Sequence, residues 1–254
     1  MTAKYGLDRN KAVPALIGNP DDFLIIAGLA GPAKDIGNIT DKAFLFGGAM
    51  GGAVTAALGL ALAQPDKRVV CVTGDGDLLM SLGSLATVGV MKPANFSVVC
   101  VDNALYQETG GQRSHTGHGI DLAQVAAGCG FTVTRDISEE SQLDEASGLL
   151  RQSNGPTFIL LRVDGTPPPK GIRNLHAAET KAAFREHVLG PASDCHVALA
   201  LLDDLHPAGQ HPLGDRLRLL PDLRADQIGL VQIALAPVDR VVGCQLGTGL
   251  IHRH

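Results

Sequence analysis

Residues 68–103 constrain this chain more than any other segment. Arg68-Val69-Val70-Cys71-Val72-Thr73 is a short β-branched run that stops at Gly74-Asp75-Gly76, so it reads as a buried strand entering a tight turn. Leu78, Leu79, Leu82, Leu85, Ala86, Val88 and Gly89 then recur at helical spacing until Lys92-Pro93 stops the pattern. Residues 96–101 form a second apolar run, closed by Asp102-Asn103. In an open parallel sheet, a strand–helix–strand unit delivers both strand ends to one edge, where ligands bind. Asp75 and Asn103 therefore converge although 28 positions separate them. A hard cation such as Mg2+ takes oxygen ligands and bridges protein oxygens to phosphates. Asp75 and Asn103 supply such oxygens, and the glycines beside them let backbone N–H groups approach an anion. A Gly-Asp-Gly turn alone is common. It is neither the dinucleotide fingerprint, since position 79 is Leu, nor a Walker loop, since no Gly-Lys-Ser/Thr follows.

The rest of residues 1–190 fits a doubly wound α/β domain, with six mainly parallel strands and helices on both faces of the sheet. Strands are predicted over 23–27, 43–46, 69–73, 97–101, 132–135 and 157–163, and Pro167-Pro168-Pro169 closes the domain before a peripheral helix over 177–188. Residues 43–63 hold no charge and could be mistaken for a membrane span, but four glycines within 47–52 break that helix near its start. A strand, a glycine loop and a buried helix from about Ala53 are expected instead. No membrane association and no secretory leader are expected. A net charge of -5 argues against nucleic acid as the main partner. The five cysteines lack metal-ligand spacing and read as reduced residues of a cytoplasmic protein. Residues 191–254 differ from the rest: they contain no Lys, Glu, Asn, Met or aromatic residue, yet hold five of the nine histidines. They read either as a segment foreign to the domain, such as a shifted reading frame, or as a small helical extension packed on it.

Three motifs in order carry a resemblance to a known family. Gly74-Asp75-Gly76, followed after 26 residues by Asn103, resembles the diphosphate-binding motif of thiamine diphosphate enzymes. Gly47-Gly48-Ala49-Met50-Gly51 and the helix after it resemble the Gly-Ser-Met-Gly stretch of that family's decarboxylase branch. The run from Asp102 through Tyr106 and Thr109-Gly110 to Gln112 is similar to one in sulfopyruvate and phosphonopyruvate decarboxylases.

The resemblance implies thiamine diphosphate and Mg2+ as cofactors. Asp75 and Asn103 would bind Mg2+ through their side chains and Leu105 through its carbonyl. Gly74, Gly76, Asp77, Tyr106 and Gln107 would lie along the cofactor, although relatives often carry Ser or Thr where this chain has Asp77. Met50, next to Ala49, would be the apolar wedge that bends the cofactor, and the Gly48 carbonyl would accept a hydrogen bond from its aminopyrimidine. In the loop over 108–118, Gln112, Arg113, His115 and His118 are candidates for substrate contact, with His115 the favoured proton donor. The implied reaction is decarboxylation of a small 2-oxo acid, a sulfonated or phosphonated pyruvate. The resembled enzymes also need a glutamate from a pyrimidine-binding domain, for which the residues before the first motif leave no room. The chain is therefore expected to be a beta-type subunit that works with a pyrimidine-binding, alpha-type partner subunit, as a homodimer of this chain or a heterotetramer and higher. A carboligase subunit of the acetolactate synthase type, an acceptor oxidoreductase and a non-catalytic regulatory subunit stay open as alternatives.

Overall fold

The computed structural model describes residues 6–46, 49–152, 154–170 and 177–190. The 191–254 segment, with its open reading, and Gly48 lie outside them. At the centre is a six-stranded, wholly parallel sheet built from β1 (Leu24–Ala27), β2 (Phe44–Leu45), β3 (Val69–Gly74), β4 (Phe96–Asp102), β7 (Val133–Ile137) and β8 (Thr157–Arg162). The strands lie in the order β2-β1-β3-β4-β8-β7. From β1 the chain first steps outward to β2 and then returns to the other side of β1 as β3. The direction of winding thus reverses between β1 and β3, and a crevice opens at their carboxyl ends. Between β4 and β7, β5 (Leu105–Tyr106) and β6 (Gln112–Arg113) form a separate antiparallel hairpin.

β-Branched and aromatic residues fill the strands because both faces of the sheet are covered. Ile26, Val69, Cys71, Val98, Cys100, Phe158 and Leu160 pack under α3 (Ala53–Ala63), α5 (Gly83–Met91) and α6 (Leu122–Gly128). Their strand neighbours Ile25, Val70, Val72, Val99, Val101, Ile159 and Leu161 face α1 (Arg9–Ile17), α2 (Gly31–Gly37) and α7 (Leu143–Gln152). The side-chain period of two along each strand makes this division. The final helix, α8 (Ala177–Leu189), joins the first of these cores through Val188 and sets Phe184 5.6 Å from Phe44, ring centre to ring centre.

The helical pattern after Gly76 resolves into two helices where one was expected. α4 (Asp75–Leu79) starts directly at the end of β3, and α5 follows only at Gly83. The glycine loop meets the break: Gly51, at φ 83°, packs so closely that a Cβ there would lie 3.0 Å from the Ser81 Cβ and 3.2 Å from that of Met80. α5 ends where Lys92 turns left-handed at φ 46° before Pro93, its N–H reaching the Val88 carbonyl. Asn95 then binds this region together. Its side-chain amide, with two hydrogens shared among three acceptors, donates to the carbonyls of Ala61 and Gln64 at the end of α3 and of Lys67 in the turn beyond, at 2.8–3.0 Å. Among the described residues no helix is long and apolar enough to cross a membrane.

Candidate active site

The crevice at the switch point is a cleft of about 670 Å3, within the range of small-molecule sites. The turn after β1 (Ala30, Gly31), the loop after β2 (Met50), the end of β3 (Gly74, Asp75, Gly76, Asp77) and the end of β4 (Asn103, Leu105, Tyr106, Gln107) all line it. Gln112 and the Pro167-Pro168 pair close its outer rim. Asp75 and Asn103 are 2% and 4% exposed, so the fold does bring these two polar groups into one buried wall.

The carboxylate of Asp75 is held from behind. Ser114 Oγ donates to its Oδ2 at 2.5 Å, and Thr116 Oγ1 lies 3.2 Å from the same oxygen. Thr116 also donates to Asp102 Oδ1 at 2.7 Å, and Arg162 approaches the other Asp102 oxygen at 3.3 Å. Two carboxylates are thus buried around two hydroxyls. Burial, with Asp102 alongside, pushes the Asp75 carboxyl up to about 7, and burial also raises Asp102 although Thr116, Ala104 and Arg162 oppose it. A cation on the cleft side would offset that cost.

Asn103 is equally fixed. Its Oδ1 accepts from the Leu105 N–H at 3.1 Å, while its amide donates to Gln107, which in turn donates to the Gly165 carbonyl. Between them Ala104 adopts φ 59°, a conformation uncommon for a residue with a Cβ. It is stabilised by its N–H donating to Asp102 at 2.9 Å. A buried carboxylate, an amide oxygen with a second lone pair and the main chain at Leu105 make an oxygen-rich donor set that suits a hard divalent cation. Among the described residues no three His, Cys or acidic side chains cluster as an alternative metal centre.

Asp77 lines the cleft as well, with both carboxylate oxygens engaged within the chain. It accepts from the Gly51 N–H at 2.6 Å and from Thr73 Oγ1 at 2.7 Å, and so holds the glycine loop against the end of β3. Gly28 makes room, since a Cβ there would lie 2.1 Å from Asp77 Oδ2. Gly76 serves Tyr106 in the same way: a Cβ would come 2.5 Å from its ring. Met50 is 39% exposed at the cleft's edge, where a bulky apolar side chain can still reach a bound ligand. Ala49 is exposed. Gln112 joins the cleft, but His115, Arg113 and His118 are exposed and outside its lining. Arg113 spends its guanidinium on the Gly117 carbonyl. Ser114, Thr116 and Asp102, none of them anticipated as site residues, are instead the loop and strand-end groups that reach the buried carboxylate.

Comparison with known proteins agrees with this geometry. Residues 35–161 match the family model described as thiamine pyrophosphate enzyme, C-terminal TPP binding domain. The beta subunit of sulfopyruvate decarboxylase from Methanocaldococcus jannaschii is 40% identical over 129 residues, half of this chain and 68% of that subunit. The corresponding subunit from Methanothermobacter thermautotrophicus is 34% identical over 190 residues, 74% of this chain and 99% of that one. Phosphonopyruvate decarboxylase from Streptomyces viridochromogenes is 35% identical over 68% of this chain, which spans only 44% of that longer protein. Among solved structures, benzoylformate decarboxylase from Polynucleobacter necessarius shares the fold at a TM-score of 0.53 and 18% identity, over 65% of this chain and 34% of that one. The chain belongs to the thiamine pyrophosphate enzymes, and what it contributes is their diphosphate-binding domain.

Proposed function

We propose that this chain is the diphosphate- and Mg2+-binding subunit of a thiamine diphosphate-dependent 2-oxo acid decarboxylase, acting on a sulfonated or phosphonated pyruvate and completed by a pyrimidine-binding partner subunit. The observation that carries this reading is the convergence of Asp75 and Asn103, both buried, on one cleft at the switch point of the sheet. The identity with sulfopyruvate decarboxylase beta subunits, running almost the whole length of one of them, supports the substrate class and the two-subunit arrangement.

Asp75 and Asn103 hold Mg2+ through their side chains and Leu105 through its carbonyl, while Gly74 and Gly76 leave space for the diphosphate. Bound thiamine diphosphate supplies the nucleophile for the keto carbon and the electron sink for the departing CO2. Asp77 holds Gly51, next to Met50 in the chain, so Met50 is presented as a wedge on a braced support. Tyr106 and Gln107 wall the cleft beside the metal ligands. His115 sits outside the cleft lining of this chain, and in this reading it is the proton donor from the loop over 108–118.

Asp75→Ala tests the assignment. Titration calorimetry should show Mg2+-dependent thiamine diphosphate binding lost while the circular dichroism spectrum is kept. Unchanged affinity removes Asp75 as the metal ligand. The partner requirement is tested separately: the purified chain should not decarboxylate sulfopyruvate or phosphonopyruvate, and adding a pyrimidine-binding subunit should restore turnover and tighten cofactor binding together. Robust turnover by the chain alone would overturn it.

A further inference from the structure

The loop after β4 was expected to matter for its exposed Arg and His residues, yet its two most deeply buried side chains are hydroxyls. Ser114 is 0% exposed and Thr116 3%. They form a closed set with Asp75 and Asp102: Ser114 to Asp75 at 2.5 Å, Thr116 to Asp102 at 2.7 Å, and the two hydroxyls 2.8 Å from each other. The loop's main chain is pinned to the same place, because the Ser114 N–H donates to the Ala104 carbonyl at 3.0 Å. Each hydroxyl has one hydrogen, and each carboxylate receives one of them. Alanine at 114 would take from Asp75 Oδ2 its hydroxyl donor, and valine at 116 would take one of the two donors from Asp102 Oδ1, which keeps the Ala104 N–H.

We propose that Ser114 and Thr116 are positioning residues for the diphosphate–metal site. Ser114 holds the Asp75 carboxylate by Oδ2 while Thr116, bonded to Asp102, braces Ser114, and together they tie the order of the loop over 107–118 to occupancy of the cleft. The proposal rests on the metal role given to Asp75 above. An outer group that orients a ligating carboxylate is worth about 10- to 100-fold in metal affinity. Coupling is reciprocal, so a cation that fixes Asp75 must also favour the loop conformation that holds it. The residues named for substrate contact, Gln112 and His115, are carried on that loop. Loading the metal would therefore also set the loop that meets substrate.

The test uses the full chain with Mg2+ and thiamine diphosphate as the probe. Calorimetry should show about 10- to 100-fold weaker Mg2+-dependent binding for Ser114→Ala and Thr116→Val, and near wild-type binding for Thr116→Ser. Trypsin cleavage after the exposed Arg113, followed by mass spectrometry, should slow when Mg2+ and thiamine diphosphate are added to the wild type. It should not slow in the two variants that lose a hydroxyl. If Thr116→Val does not fold, Ser114→Ala decides the matter, because it removes the hydroxyl hydrogen that Asp75 receives and leaves the bond from Thr116 to Asp102 in place. Wild-type affinity and wild-type protection in the folded variants would overturn the proposal and leave the metal site standing. A lowered melting temperature with unchanged affinity would do the same, marking the hydroxyls as structural only. Absence of Mg2+-dependent binding by the wild type would overturn both.

Discussion

α3, α5 and α6, on one face of the sheet, carry no charged residue, and the charges on that face belong to the peripheral α8 (Glu179, Lys181, Arg185 and Glu186), whereas α1, α2 and α7 on the other carry Arg9, Lys11, Lys34, Asp35, Asp144, Glu145 and Arg151. Arg9, Asp35 and Arg151 on the charged face find their polar partners within the chain. Arg9 and Asp35, 3% exposed each, pair through two hydrogen bonds, and a Cβ on Gly31 would collide with the guanidinium. Arg151 donates to Asp22 and to the Ile17 carbonyl and covers the Phe23 ring at 4.8 Å. The uncharged face shows the opposite on its outer side. Leu62, Val90 and Met91 are 45%, 79% and 49% exposed, and Met80, 60% exposed, continues that surface to the cleft. A run of exposed apolar side chains leading to a ligand site is the surface expected of a docking face. On this contrast, the exterior of α3 and α5 is the surface to test for docking and the exterior of α1 and α7 is the control.

The largest expected effect lies on the charged face. Arg9→Met leaves the Asp35 carboxylate buried without its partner, and urea denaturation should register a loss of about 3–5 kcal/mol. Burial already raises the Asp35 carboxyl against the pull of Arg9, so the pair is one whose separation is expensive. Arg9→Met combined with Asp35→Leu should recover most of the loss, since a well-packed apolar pair removes both desolvation costs. A loss for Arg9→Met below about 1 kcal/mol would show that the pair is not what stabilises this face.

The next effect separates two glycines on the uncharged face. Gly89 in α5 meets the chain at the end of α6 so closely that a Cβ would lie 1.7 Å from the Cys129 carbonyl oxygen. Gly89→Ala should cost about 1–3 kcal/mol as the helices are forced apart. Gly59 in α3 is exposed with nothing within 4 Å of its would-be Cβ, and Gly59→Ala should stabilise by up to about 1 kcal/mol through helix propensity. Equal thermal shifts for the two would mean that the inner packing of this face is loose.

All six strands of the sheet were legible in the sequence, most of them to within a residue or two, because strands buried on both faces must be short apolar runs bounded by turns. The convergence of Asp75 and Asn103 followed from the same topology. What escaped was local. The β5–β6 hairpin has two residues per strand, too few for any period. The break between α4 and α5 falls where Gly51 packs against Met80 and Ser81, an approach across about 30 positions that leaves no mark within the helix itself. Asp77 looked like an awkward anion beside a diphosphate, since nothing in its neighbourhood reveals that Gly28 vacates the space into which its carboxylate turns. Ser114 and Thr116 lie in a stretch rich in glycine and polar residues, where a buried hydroxyl reads like a solvated one. Only their partner Asp102 carried a hint, as a charged residue at the end of a strand whose every position is buried.

The smallest change in the isolated chain bears most directly on what the uncharged face is for. Val90 and Met91 lie on the outside of α5, far enough from the core that Val90→Lys with Met91→Lys should alter the stability of the chain alone by no more than about 0.5 kcal/mol per site. If a pyrimidine-binding subunit covers this face, the same two lysines become buried unpaired charges on association. The complex should weaken by at least about tenfold, corresponding to about 1.4 kcal/mol. Turnover should then fall at low subunit concentration and recover as the partner is raised, because neither residue touches the cleft. The matching substitution on the charged face, Lys11→Glu, should leave association unchanged, since that exterior is solvated. Wild-type association by the double lysine variant, measured by analytical ultracentrifugation with the partner, would mean that the lack of charge on α5 serves something other than docking, and that the contrast between the faces says nothing about where the partner binds.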